Sequence, residues 1–176
     1  MARVLDPRPS GQSRDNFVAR FGGIYEHSSW VAEAVFDAGI LARDDEAAGI
    51  AARMAEVVEN AGRERQEALL RAHPELAGKL AMRGELTTES RSEQASARLD
   101  QCSPEEFARF SRLNTQYNAK FGFPFIIAVR GLSRADILKA FEQRIANSPE
   151  AEFRTALDQV HRIARLRLES LAQEAP

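Results

Sequence analysis

At 176 residues, 28% of them charged and 44% apolar, the chain has the length of one domain and enough apolar surface for a core. Its net charge of -2, with both signs interspersed, gives no electrostatic footprint for nucleic acid or an anionic membrane. A single cysteine, Cys102, excludes an intrachain disulfide and points to a reducing cytoplasm, and no apolar run approaches bilayer length.

Residues 1–13 are rich in Pro, Arg, Gly and Ser and read as a flexible arm ahead of a helical domain over 14–172. No signal-peptide apolar region opens the chain and no peroxisomal tripeptide ends it, which fits a cytoplasmic setting. A short helix is expected over 15–20, stopped by Gly22 and Gly23. Ser28 or Ser29 can cap a helix carrying Trp30, Val31, Ala34 and Val35 and reaching toward Ile40. Asp44 or Asp45 can cap a third, with Ile50, Met54, Val57 and Val58 on one side. After Gly62, residues 63–72 read as a fourth helix. It should stop at His73, because Pro74 pushes the residue before it out of the α region.

Further along, Ser90 with Glu93, Ser103 with Glu106 and Ser133 with Asp136 fit the capping box or its acidic variant. Pro104 and Pro149 stand at first helical positions, where a missing N–H costs nothing. Phe107, Phe110, Leu113, Tyr117 and Phe121 follow helical spacing, as do Ile137, Leu138, Phe141 and Ile145. The last helix is expected from Pro149 to about Ala172, its early Glu150 and Glu152 and later Arg162, Arg165 and Arg167 suiting the helix dipole. One stretch breaks the period: Phe121-Gly-Phe-Pro-Phe-Ile-Ile-Ala-Val-Arg-Gly131. It looks like a buried strand, yet no second strand exists to pair with it, so its N–H and C=O groups need another partner, a polar ligand being one candidate. The expected fold class is all-α: a single-domain irregular helical bundle with one extended buried segment at about 122–130.

An imidazole at a helix end can face a cavity and move protons, so His73 is a candidate acid or base, though a lone histidine is also often structural. Glu93 has a structural reading as the third residue of a capping box. Arg130 can grip a carboxylate bidentately or reach solvent. His27 and His161 have weaker claims, His161 as a surface or boundary residue, while Trp30 and the phenylalanines read as core. Three scattered histidines and one cysteine give no metal-ligand spacing. No GxGxxG, GxxxxGK[ST] or GxSxG pattern occurs, and nothing around Cys102 suggests an activated thiol. Cofactor-free acid–base chemistry remains.

Four stretches, Phe21-Gly-Gly-Ile-Tyr-Glu-His-Ser-Ser-Trp30, His73-Pro-Glu-Leu-Ala-Gly-Lys79, Ser90-Arg-Ser-Glu-Gln94 and the run from Asn114 to Arg130, together resemble one family. That family is 2-oxo-4-hydroxy-4-carboxy-5-ureidoimidazoline (OHCU) decarboxylase, and the likeness covers roughly 17–168. It implies an all-α homodimer that needs no cofactor or metal and makes (S)-allantoin with loss of CO2 in urate catabolism. By position, His73 matches the catalytic histidine and Glu93 the second catalytic group. Pro74, Ser90, Arg91, Ser92 and Gln94 match substrate contacts, as do Phe125, Ile126, Ile127, Ala128 and Val129 through their backbone; Arg130, from its guanidinium chemistry alone, is a further candidate contact. Tyr25 stands where Phe is frequent, and Ala95-Ser-Ala-Arg98 replaces a more glycine-rich run. The competing classes are a non-catalytic helical binding module, in which His73 only ends a helix, and a relative acting on another ureido-imidazoline.

Overall fold

The computed structural model of the chain describes residues 3–78, 81 and 83–173. Among them the secondary structure is helical, with no strand and a single isolated bridge between Val4 and Glu46. The fold class is all-α, as the sequence implies. Contacts divide the chain into two compact units, one of 1–72 with 161–176 and one of 73–160.

In the first unit, α1 (Arg14–Phe21) starts at Ser13, whose side chain accepts from the Asn16 N–H, and ends at Gly22. A β-carbon there would lie 2.6 Å from the Val18 carbonyl oxygen, so the position needs glycine. Helix α2 (Trp30–Asp37) starts after Ser29 as expected, but the serine hydroxyl donates to Glu33 instead of capping, and Ile40 lies beyond the helix end. Helix α3 (Ala47–Glu59) starts after Glu46, not after an aspartate. Both aspartates are engaged elsewhere: Asp44 accepts from the Leu41 N–H and from Arg53, and Asp45 from Ser10. Helix α4 (Arg63–Arg71) follows Gly62, which sits at φ 84.

The stretch read as a flexible arm makes specific contacts. Leu5 is fully buried, its N–H bonds the Asp45 carbonyl at 2.8 Å, and Arg20 donates to the Asp6 and Pro7 carbonyls. Composition gave no sign of this, since the partners lie in residues 20 and 45, far along the chain.

In the second unit, α5 (Thr88–Ser96) begins at Thr87, whose hydroxyl accepts from the Ser90 N–H. The expected Ser90–Glu93 capping box is therefore absent and both residues lie inside the helix. Thr87 supplies a cap three residues earlier, and nothing between it and Ser90 interrupts a helix. Helix α6 (Pro104–Phe121) has the predicted reciprocal cap of Ser103 and Glu106 and ends at Gly122, φ 76. The Ser133–Asp136 cap opens α7 (Arg134–Arg144), with Ile145 as its closing cap. Helix α8 (Pro149–Gln173) buries Phe153, Leu157, Val160, Ile163 and Ala164, the expected stripe. Between α6 and α7, residues 123–129 form neither helix nor bridge and are buried except for half-buried Ile127.

Candidate active site

Helix α4 closes with Ala72 as its cap, and His73 follows at 8% exposure, the helix-end imidazole that Pro74 dictates. The turn after it is closely held. Gln94, on α5 and itself buried, accepts from the Ala77 N–H at 3.1 Å and donates to the Glu75 carbonyl at 3.4 Å. Asn114, buried on α6, donates to the Leu76 carbonyl at 3.0 Å, and Asn118, one turn on, donates to the Glu75 carboxylate at 2.6 Å. Ala77 takes φ 48, a left-handed conformation that costs a non-glycine residue about 1–2 kcal/mol. A β-carbon on Gly78 would come within 2.7 Å of that of Glu75. The turn is thus set by side-chain amides that compensate a strained backbone.

Because Gln94 is bonded to the turn, α5 lies against it, and this brings the helix carrying Ser90 and Glu93 to the His73 segment. Ser90 is buried and Glu93 half-buried. Arg91 and Ser92 are exposed, and Arg91 donates to the Gly84 carbonyl at 2.9 Å, tying down the approach to α5. A cavity of about 820 Å³ beside α5 is lined by Gln94, Arg91, Leu99, Cys102 and Phe107 among others; neither His73 nor Glu93 lines it. Cys102 donates to the Leu99 carbonyl, and burial, then Glu106, pushes its thiol pKa up, consistent with an inert thiol.

The segment 123–129 is held by the same helix, α6, that holds the His73 turn. Tyr117 and Phe121 on α6 lie about 60° or less round the helix from Asn114. Tyr117 packs against Phe123 and Phe125 with ring centroids 5.9 and 5.5 Å apart, and Phe125 stacks on Phe141 at 3.9 Å. One helix therefore holds the His73 turn on one stripe and the apolar segment on the next, side by side. The backbone groups of that segment, for which the sequence left a polar ligand as one candidate, find protein partners in part. Arg144 donates to the Ile126 carbonyl at 2.7 Å, and the Ala128 N–H donates to Gln159 at 3.0 Å. Arg130, at the end of the segment, is exposed.

Behind the segment is a buried polar network the sequence reading did not find. Glu152, fully buried, accepts from Tyr117 at 2.5 Å, Asn147 at 3.0 Å and Arg144 at 2.8 Å. Burial, then the Glu152 carboxylate, drives the Tyr117 pKa well up. Glu152 reads in sequence as an acidic residue suiting a helix start, so only its place one turn after a capped proline could have hinted at more.

The two other histidines belong to the first unit. His27 is exposed at φ 49. In the first unit, His161 bridges Tyr25 and Glu59, 2.8 Å from each, as a boundary residue. Among the described residues no group of three or more His, Cys, Asp or Glu side chains is placed to hold a metal ion, and no helix is long and apolar enough to cross a membrane.

The geometry places a buried histidine at a helix end beside a turn held by side-chain amides. Residues 10–169 match the family described as OHCU decarboxylase. A 2-oxo-4-hydroxy-4-carboxy-5-ureidoimidazoline decarboxylase of Haloferax volcanii is 47% identical over 154 residues, covering 88% of each chain. One of Halalkalicoccus jeotgali is 44% identical over 171 residues, covering 97% of this chain and 93% of its own. A crystal structure of (S)-allantoin synthase superposes with a TM-score of 0.71 at 33% identity, covering 92% of this chain and 52% of that one. Matched nearly end to end by relatives of this kind, and folded as the (S)-allantoin synthase is, the chain belongs to the OHCU decarboxylase family.

Proposed function

We propose that this chain decarboxylates 2-oxo-4-hydroxy-4-carboxy-5-ureidoimidazoline to (S)-allantoin in urate degradation, with His73 as the acid–base group and Glu93 assisting. The observation that carries the reading is the amide-held turn: Gln94 and Asn114 fix the backbone after a buried His73 and set the Glu93 helix against it. Such fixing gives a proton-transfer group the orientation it needs.

The substrate carries hydroxyl and carboxylate on one ring carbon, next to a ring C=N bond. When the C–CO2 bond breaks, its electron pair forms a C=C bond toward that neighbour, and the C=N pair moves onto nitrogen, which takes a proton. The enol so formed loses its hydroxyl proton to become the ring carbonyl as the neighbouring carbon is protonated. The electron sink belongs to the substrate, so the route draws on no organic cofactor. His73 moves the proton of the hydroxyl or ring nitrogen, and Glu93 orients His73 or the ureido group. Pro74 and the stretch Ser90 to Gln94 line the substrate, and the backbone of 125–129 fixes its ring, so that protonation on one face gives the (S) product. Arg130 is the proposed grip on the substrate carboxylate; an unchanged KM in Arg130→Gln removes it. A cytoplasmic homodimer completes the reading, with size-exclusion chromatography coupled to light scattering as the check on the dimer.

The test follows optical activity while uricase and hydroxyisourate hydrolase generate the substrate from urate. Rapid appearance of (S)-allantoin with the wild type, and a loss of about 10²–10⁴-fold in His73→Asn, is expected. A wild-type rate equal to spontaneous decay removes the activity, and an unimpaired His73→Asn removes the role of His73.

A further inference from the structure

We propose that Arg144 and Gln159 are positioning residues for this reaction. Together they tie off one edge of the segment 123–129 and so turn its other edge toward the substrate. The proposal rests on the reading above, in which that segment meets the ring.

The two bonds fall in a telling register. Arg144 Nη1 reaches the Ile126 carbonyl at 2.7 Å, and Gln159 Oε1 receives the Ala128 N–H at 3.0 Å. In extended backbone, the carbonyl of one residue and the N–H of the second residue on point to the same side. Both bonds therefore hold a single edge, as a neighbouring strand would. The opposite edge carries the N–H and C=O of Ile127, the one residue of 123–129 that is not buried. A donor and an acceptor side by side complement a ureido or lactam group, which offers the same pair reversed.

Neither partner is loosely placed. The Arg144 guanidinium bonds Glu152 through Nε at 2.8 Å, lies 4.4 Å above the Phe125 ring and has only 12% of its side chain exposed. Glu152 is in turn fixed by Tyr117 and Asn147. The arginine thus transmits the position of α8 to the segment through one fork, a task that a lysine, with a single nitrogen, cannot repeat. Gln159 is half-buried on α8, so it can be changed without opening the core.

The experiment compares Gln159→Met, Gln159→Glu and Arg144→Lys with the wild type in the optical assay, with melting temperatures alongside. Loss of one positioning hydrogen bond predicts a rise in KM of about 2–10-fold in Gln159→Met, with the pH profile of kcat unchanged. Gln159→Glu keeps the acceptor oxygen and is expected to restore KM, while Arg144→Lys raises it. A lower melting temperature with wild-type KM in Gln159→Met overturns the proposal, as does a Gln159→Glu that fails to restore KM. Amide exchange of Ile127 and Ala128, measured without ligand, separates this outcome from the functional reading. If the wild type makes no (S)-allantoin the reading fails, and faster exchange in Gln159→Met then still supports the clamp, whereas unchanged exchange removes it too.

Discussion

Replacing Gln94 with leucine leaves the Ala77 N–H and the Glu75 carbonyl without their partners inside a buried turn. Unsatisfied buried groups cost about 1–3 kcal/mol, so Gln94→Leu is expected to melt lower and to lose turnover together, which thermal unfolding and initial rates check. Another change acts through protons. Burial, then the Glu59 charge, raises the Tyr25 pKa well above its ordinary value of about 10. A group held neutral in the fold contributes stability that is complete below its unfolded pKa and is lost as pH rises above it. Tyr25→Phe is therefore expected to flatten the alkaline loss of stability above about pH 10, read by denaturant titration at several pH values. At this scale the sequence was only partly legible. The helix-end place of His73 stood out through Pro74, while Glu93 became a candidate only through the family resemblance. The amides that hold the turn did not, because Asn114 and Asn118 at helical spacing look like any polar face until the turn they bind, some 40 residues earlier in the chain, is known.

Caps decide the elements. Ser103 and Glu106 bond each other's backbone N–H groups at 3.1 Å at the start of α6, the helix that holds both the His73 turn and the apolar segment. Ser103→Ala is expected to lower stability by about 0.5–2 kcal/mol, measurable by urea unfolding. Thr87→Ala, by the same physics, loosens the start of α5, whereas Ser90 has no cap to lose. The boxes at 103 and 133 were legible because a serine with an acid three residues on has no rival nearby. The one at 90 misled because Thr87 competes, and a local pattern does not rank two caps that both fit. Asp44 and Asp45 misled for the opposite reason: distant residues claim them first. The extended segment was anticipated because glycine, proline and an apolar run exclude the alternatives, but its partners Arg144 and Gln159 come from two different helices.

For the molecule as a whole, acid stability follows from surface carboxylates. Hydrogen bonds from Arg14, Arg63 and Arg134 hold Asp37, Glu67 and Glu106 below the ordinary carboxylate range, and bonds to Ser133 do so for Asp136. A depressed folded pKa means stability is full above the unfolded value and is lost as pH falls through the folded one. Stability is thus expected to hold at neutral pH and to decline below about pH 4.5, and added salt should shrink the share that comes from the exposed Arg14–Asp37 pair. The helical class was legible at this scale from caps and apolar stripes, whereas the division into two units was not, since no linker composition marks residue 73 or 160. One feature of α6 also bears on how such a chain can vary. Asn114 and Asn118 serve the His73 turn while Tyr117 and Phe121 serve the apolar segment, so a residue inserted between 114 and 117 would rotate everything after it by about 100°. Asn114 would keep its bond to the turn while Tyr117, Asn118 and Phe121 swung away from their partners. Across this stretch the helix works as a fixed ruler that forbids insertion.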